Sequence, residues 1–109
     1  MGWAAMYIAK LRAGETVSFC PRGTSMAGRI ESGQLCTVAP VDCTTLQVGD
    51  IALCRVHGNE YLHLVKAIRH DGAKGPRFQI GNSRGGVNGW IGPGGIFGKC
   101  VKVGPSAGP

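Results

Sequence analysis

The chain has 109 residues, of which 43% are hydrophobic and 17% are charged, a composition that fits one globular domain and excludes a disordered chain. The formal net charge of +6 raises the question of nucleic-acid binding, but the twelve Lys and Arg residues are scattered from Lys10 to Lys102 without a basic run. Aromatic residues make up only 6%, so the stacking platforms of single-strand grooves are scarce and nucleic-acid binding is disfavoured.

The nineteen glycines favour many short strands joined by tight turns, because glycine is poor in helix interiors and common in turns and bulges. The predicted fold is a single all-β domain over residues 1–109, mainly antiparallel, with one short helix. In chain order we predict an N-terminal arm or short helix over residues 1–14, a strand over 15–20, one or two helical turns over 26–32, strands over 35–39, 51–57, 60–68, 77–80 and 96–103, and a tail over 104–109.

Two connections between these strands carry particular expectations. Gly58-Asn59 is predicted to be the two-residue turn of a hairpin. The glycine-rich stretch over residues 81–95 is predicted to be a long irregular loop, and such loops in compact domains are usually functional or mobile.

The segment Gly23-Thr24-Ser25-Met26 places a serine in a sharp turn between a predicted strand and the predicted helix. Such a turn exposes the hydroxyl and aims backbone N–H groups at one point, where they stabilise the oxyanion that forms when a hydroxyl attacks a carbonyl. From these residues alone, an ordinary turn or helix-cap serine is the more common interpretation.

Several motifs follow one another in a fixed order. They are Gly-x-Ser-Met-x-Gly-x-Ile-x-x-Gly over 23–33, then Val48-Gly49-Asp50-Ile51, a strand over 60–68, Gly81-Asn82-Ser83-Arg84 and Phe97-Gly98-Lys99-Cys100-Val101. In this order they resemble the LexA and signal peptidase superfamily of serine peptidases. The resemblance covers about residues 17–103 and implies a coiled, mostly antiparallel β fold with Ser25 as the nucleophile and the base on the strand over 60–68.

The base strand reads Tyr61-Leu62-His63-Leu64-Val65-Lys66. In many relatives of this superfamily the base is a lysine, and the resemblance places His63 at that position. Side chains alternate faces along a strand, so His63 and Lys66 cannot both face Ser25 unless a bulge intervenes. We favour His63, since imidazole titrates near neutrality whereas Lys66 would need a large pKa shift. A core histidine held by a backbone carbonyl is the alternative.

A third group commonly fixes the tautomer of a catalytic imidazole. Relatives with histidine have Gly-Asp-Asn in the later loop, but the matching residues here are Gly81-Asn82-Ser83, so the aspartate is missing. Asn82 is therefore the candidate that orients His63 through its amide oxygen, and Asp71 is a second acid that the sequence does not place.

The resemblance also implies how a substrate binds. Backbone N–H groups of Gly23 and Ser25 would hold the oxyanion, and Met26 and Tyr61 are the candidate substrate-binding side chains. The expected substrate is an extended peptide or protein segment with small residues before the cleaved bond. The hypothesis is a serine endopeptidase that works through an acyl-enzyme. The alternative is a weakly active or inactive peptide-binding module of the same fold, which the missing aspartate favours.

The five cysteines show no CxxC pair or metal-ligand spacing, so we predict reduced thiols, no metal and no cofactor. No segment is long and apolar enough to span a membrane and no signal peptide is recognised, so a cytoplasmic protein without membrane partners is expected. A homodimer is left open.

Overall fold

The computed structural model describes residues 2–70 and 72–106. It contains one α-helix and seven strands, which form a single antiparallel sheet in the order β1-β2-β7-β3-β4-β5-β6. The prediction of an all-β, mainly antiparallel fold is confirmed. The elements are α1 (Ala5–Arg12), β1 (Val17–Phe19), β2 (Gln34–Ala39), β3 (Ile51–Val56), β4 (Asn59–His70), β5 (Pro76–Gly81), β6 (Val87–Ile91) and β7 (Ile96–Ser106), with short 3-10 turns at Cys43–Thr45, Gly72–Lys74 and Pro93–Gly95.

The α-helix precedes the serine segment, so the predicted helix over residues 26–32 is wrong. That segment forms consecutive turns, in which the Ile30 N–H donates to the Met26 carbonyl at 2.7 Å without continuing into a helix. The physical reason is glycine at Gly28 and Gly33, whose φ angles of 89° and 87° lie in the left-handed region.

The helix α1 falls within the predicted N-terminal arm. Its N-cap, Ala4, makes no side-chain capping hydrogen bond, so the helix depends on tertiary contacts rather than on a strong start signal. Ile8 and Leu11 are buried against the sheet, while Lys10 and Arg12 lie in the last turn, where cations complement the helix dipole.

The hairpin between β3 and β4 turns one residue earlier than predicted. Val56 pairs with Asn59, so the two turn residues are His57 and Gly58 rather than Gly58-Asn59. Both have positive φ, 49° and 83°, which is the requirement of a type I′ turn. The shifted turn sets the register that pairs His63 of β4 with Ala52 of β3.

The stretch over residues 81–95 is only partly irregular, because it contains the strand β6. Pairing with β5 holds this strand in place, with Phe78 opposite Ile91 and Ile80 opposite Gly89. The predicted tail is also shorter than expected, since residues 104–106 extend β7 and residues 107–109 lie outside the described part.

The sheet coils, so that β3 and β6 contact each other although two strands separate them in the sheet. Coiling creates two apolar clusters, one beneath α1 with Val38 and Leu53, the other around Phe78 and Ile80. The middle of β4 is therefore buried on both faces, and His63, 7% exposed, is the one buried polar side chain among the described residues. A polar group in that position needs hydrogen-bond partners.

No helix in the described residues is long and apolar enough to cross a membrane. All five cysteines are free thiols in the structure. Burial raises the pKa of Cys54 to about 12, so that thiol is protonated and unreactive at neutral pH.

Candidate active site

Ser25 lies at the start of the turns that connect β1 to β2, with its side chain exposed to solvent. Gly23, two residues earlier, has a φ of 114°, a conformation that glycine adopts without strain and L side chains rarely adopt. This bend turns the chain sharply after β1 and presents the serine hydroxyl at the mouth of a cleft.

A second loop holds the Ser25 turn in place. The Ser83 N–H donates to the Ser25 carbonyl at 3.0 Å, and the Ser83 hydroxyl donates to the Ala27 carbonyl at 2.8 Å. Arg84 adds a hydrogen bond from its guanidinium to the Thr24 hydroxyl at 3.2 Å. The loop after β5 therefore fixes the backbone that carries the serine hydroxyl.

His63 reaches this turn from the middle of β4. Its Nε2 lies 3.2 Å from Ser25 Oγ, although 38 positions separate the two residues. The ring of Tyr61 stacks on the imidazole, with centroids 4.8 Å apart and planes inclined by 26°. The structure thus brings the two sequence-predicted residues within hydrogen-bonding distance.

Asn88 of β6, and not Asn82, holds the other side of the imidazole. Asn88 Oδ1 lies 2.7 Å from His63 Nδ1. The Oδ1 of Asn82 instead accepts from the N–H groups of Arg84 and Gly86, at 2.9 and 2.8 Å. Asn82 is therefore a loop-stabilising residue, and the assignment of Asn82 as the orienting residue is corrected to Asn88.

This correction has a physical reason at each of the two asparagines. An amide oxygen that receives two local N–H groups stabilises its own turn, which is a common use of asparagine in loops. At Asn88, the prediction of a loop over residues 81–95 missed the strand β6 that carries this residue.

Asp71, the second acid considered, lies outside the described residues.

The contact with Asn88 fixes the proton positions on His63. Because the Asn88 amide oxygen only accepts, the Nδ1 of the imidazole donates and the Nε2 carries the lone pair that faces Ser25. Burial lowers the pKa of His63, and the hydrogen bond to Asn88 opposes this effect less strongly. The imidazole is therefore neutral at neutral pH, with its basic nitrogen directed at a hydroxyl proton.

The two expected oxyanion donors differ in availability. The Gly23 N–H donates to the Ser32 hydroxyl at 3.2 Å, so it is already engaged in stabilising the turn. Within the described ranges no protein group accepts a hydrogen bond from the Ser25 N–H. Of this pair, the Ser25 N–H is therefore the donor that is free to face an oxyanion.

Lys66 is hydrogen-bonded to the loop after β5 and not to the serine. Its Nζ donates to the Asn82 carbonyl at 3.2 Å, and the register between β4 and β5 shifts at this residue. The shift is a bulge-type irregularity, yet it does not bring Lys66 to Ser25. The lysine contributes to holding the loop rather than to the serine–histidine contact.

A cleft of about 480 Å³ opens beside Ser25. Met26 and Tyr61, the side chains proposed from the sequence for substrate binding, both line it, as do Ser25 and His63. In the described part of the chain, no cluster of three His, Cys, Asp or Glu side chains is placed to hold a metal ion. The remaining lining residues are Trp3, Tyr7, Phe19, Cys20, Pro21, Arg22, Gly23, Ile30, Glu31, Glu60 and Leu62.

Comparison with known proteins adds no relative: no family model, no curated protein and no solved structure matches this chain. The functional argument therefore rests on the chain's own residues and on the geometry of the cleft.

Proposed function

We propose that the protein is a serine endopeptidase of the LexA and signal peptidase type, with Ser25 as nucleophile and His63 as general base. The observation that carries the proposal is the 3.2 Å contact between Ser25 Oγ and the Nε2 of a neutral, buried imidazole. A serine hydroxyl is a weak nucleophile until an adjacent base accepts its proton. The exposed hydroxyl lies in a cleft large enough for a peptide side chain.

In the proposed mechanism, the Ser25 proton passes to His63 Nε2 as Oγ forms a bond to the peptide carbonyl carbon. The negative charge on the carbonyl oxygen is stabilised by the Ser25 N–H. The proton on Nε2 then passes to the departing amine as the C–N bond breaks, which leaves an ester on Ser25. His63 next takes a proton from water, whose oxygen attacks the ester carbon. As the Oγ–C bond breaks, His63 returns that proton to Ser25 Oγ, which releases the acid product and regenerates free Ser25.

A peptide-binding module without turnover is the second candidate, and one observation favours it. The group against His63 Nδ1 is the uncharged amide of Asn88, which stabilises a developing imidazolium less than a carboxylate would. Both candidates share the cleft and differ in whether Ser25 reacts.

The test is covalent labelling by an alkyl fluorophosphonate, which phosphonylates an activated serine with loss of fluoride. We expect the wild-type protein to gain the mass of one phosphonyl group at Ser25, and the Ser25→Ala variant to gain none. Ser18→Ala is the matched control, because Ser18 is an exposed serine on β1 whose hydroxyl is hydrogen-bonded to the Thr37 hydroxyl. Labelling that is absent from wild type between about pH 7 and 9, where the imidazole is neutral, would rule out the peptidase.

The pH dependence of labelling follows from the lowered pKa of His63. Only the neutral imidazole accepts the Ser25 proton, so the rate rises with pH and levels off once the imidazole is neutral. Because burial lowers this pKa, we expect the midpoint of the fall in rate to lie below pH 6.5, the ordinary value for histidine. The measurement is the labelling rate from pH 5 to 9.

Folding stability is expected to change in the same direction. The unfolded chain binds a proton at this histidine more readily than the folded chain does, so stability falls once the pH drops below about 6.5. The loss should be smaller in the His63→Gln variant. For the labelling rate, a pH midpoint clearly above neutrality would indicate that a group other than His63 is the base.

A further inference from the structure

The cleft beside Ser25 has an aromatic wall that the proposed reaction does not use. The rings of Tyr7 and Phe19 stack with centroids 4.5 Å apart, and Trp3 lies 5.6 Å from Phe19 at an inclination of 59°. Trp3 and Tyr7 come from the N-terminal segment that contains α1, whereas Phe19 ends β1. Trp3 remains 52% exposed, so much of its apolar surface is available to a bound molecule.

Apolar side chains also form the inner part of the cleft. Met26, Ile30 and Leu62 are each buried and line it. Met26 directly follows the nucleophile, so this apolar lining continues up to the reacting hydroxyl. A guest side chain that enters from Ser25 therefore meets apolar and aromatic surface alongside the polar groups of the cleft.

The charged residues of the cleft argue against a basic guest. Glu60 is paired with Arg55 at 2.9 Å, and Glu31 accepts a hydrogen bond from the Gly28 N–H. Arg22 lines the same cleft and has no ion-pair partner among the residues that the structure describes. Arg55 offsets the charge of Glu60, and Glu31 and Arg22 carry opposite charges, so the cleft has no net negative charge that would favour a lysine or arginine side chain.

The geometry points to a substrate residue with a large apolar, preferably aromatic, side chain next to the cleaved bond, with Trp3 and Tyr7 as specificity-determining residues. This inference rests on the proposed function and differs from the small residues expected from the superfamily resemblance. A cleft of about 480 Å³ is much larger than an alanine side chain, whereas a phenylalanine side chain fills more of it and buries apolar surface against the aromatic wall.

The test measures peptide binding without turnover, using the Ser25→Ala protein. The probes are acetyl-Gly-Ala-Phe-Ala-Gly-Ala-amide and the two peptides that carry Ala or Lys in place of Phe, titrated by NMR chemical-shift changes. Because burial of a phenylalanine side chain is the main difference, we expect the Phe peptide to bind about tenfold or more tightly than the Ala peptide. The Lys peptide should bind no better than the Ala peptide.

Variants of the aromatic wall locate the preference. Adding Trp3→Ala to the Ser25→Ala protein should remove most of the preference for Phe, and Trp3→Phe should restore part of it. Met6→Ala is the matched control, since Met6 is 61% exposed on α1 and does not line the cleft. Thermal unfolding of each variant shows whether the fold is retained. A preference for Phe that survives Trp3→Ala contradicts the role of the aromatic wall.

Failure of this inference can be told apart from failure of the proposed function. If the Phe peptide binds preferentially but wild type resists fluorophosphonate, the inference about side-chain preference stands and the peptidase proposal falls. If wild type is labelled but all three peptides bind equally, or the Lys peptide binds best, the inference is overturned and the peptidase proposal stands. Cleavage of a proteome-derived peptide library only beside small residues would likewise overturn it.

Discussion

Replacement of His63 by glutamine is expected to slow phosphonylation of Ser25 by about 10²- to 10⁴-fold, the usual contribution of a general base. Glutamine has a similar length and can still hydrogen bond, but its amide does not accept a proton at neutral pH. The variant therefore removes the basic nitrogen that lies 3.2 Å from Ser25 Oγ while keeping a polar side chain in the position. The measurement is the labelling rate at pH 8, with mass spectrometry to locate the modified residue.

The matched control is His70→Gln on the same strand. His70 is exposed at the end of β4, so the same substitution there should leave the labelling rate unchanged. Circular dichroism and thermal unfolding of both variants show whether the buried position tolerates glutamine. Equal labelling rates in a folded His63→Gln protein and in wild type would remove His63 from the mechanism.

The strands were predictable because their side chains alternate and because turn residues mark their ends. The predicted strand over 51–57 differs from β3 (Ile51–Val56) by one residue, and the reason is local. A type I′ turn needs positive φ at both central residues, and the sequence offers His57-Gly58 and Gly58-Asn59 as candidates. Propensity alone favours the asparagine, but pairing between the two strands decides the register.

Two elements were hard to predict because tertiary contacts stabilise them: the helix α1 was expected only as an alternative to a loose arm, and the residues of the strand β6 were predicted to be part of a loop. The helix α1 has no capping side chain, and its stability comes from Ile8 and Leu11 packed on the sheet. The strand β6 contains Gly89, whose added Cβ would lie 2.9 Å from the His57 ring. Glycine there permits close approach of the turn and the strand, and in a sequence it weakens the strand pattern.

The candidate site was predictable only in part. Ser25 and His63 were linked by the order of motifs along the chain, since no spacing rule connects residues 38 positions apart. Asn88 could not be linked to them, because its place depends on how far the sheet coils. One local signal indicated a strand at the residues of β6. Val87, Gly89 and Ile91 alternate there with polar or amphipathic residues.

Replacement of Asn88 by aspartate is expected to raise the rate of Ser25 labelling above that of wild type at pH 8 and to move the pH midpoint upward. A carboxylate at this position accepts the same hydrogen bond from His63 Nδ1. Its negative charge also stabilises the imidazolium that forms as Ser25 loses its proton, so the pKa of His63 rises. Asn59→Asp is the matched control, because it adds the same charge at the exposed start of β4.

Replacement of Asn88 by alanine should have the opposite effect, a fall in the labelling rate of about 10- to 100-fold, because the Nδ1 proton loses its acceptor and the other tautomer becomes populated. That tautomer directs an N–H, and not a lone pair, at Ser25 Oγ. Measured together, the two variants separate orientation from charge. If alanine leaves the rate unchanged and aspartate lowers it, Asn88 does not position the base, and the 2.7 Å contact serves only to satisfy a buried polar ring.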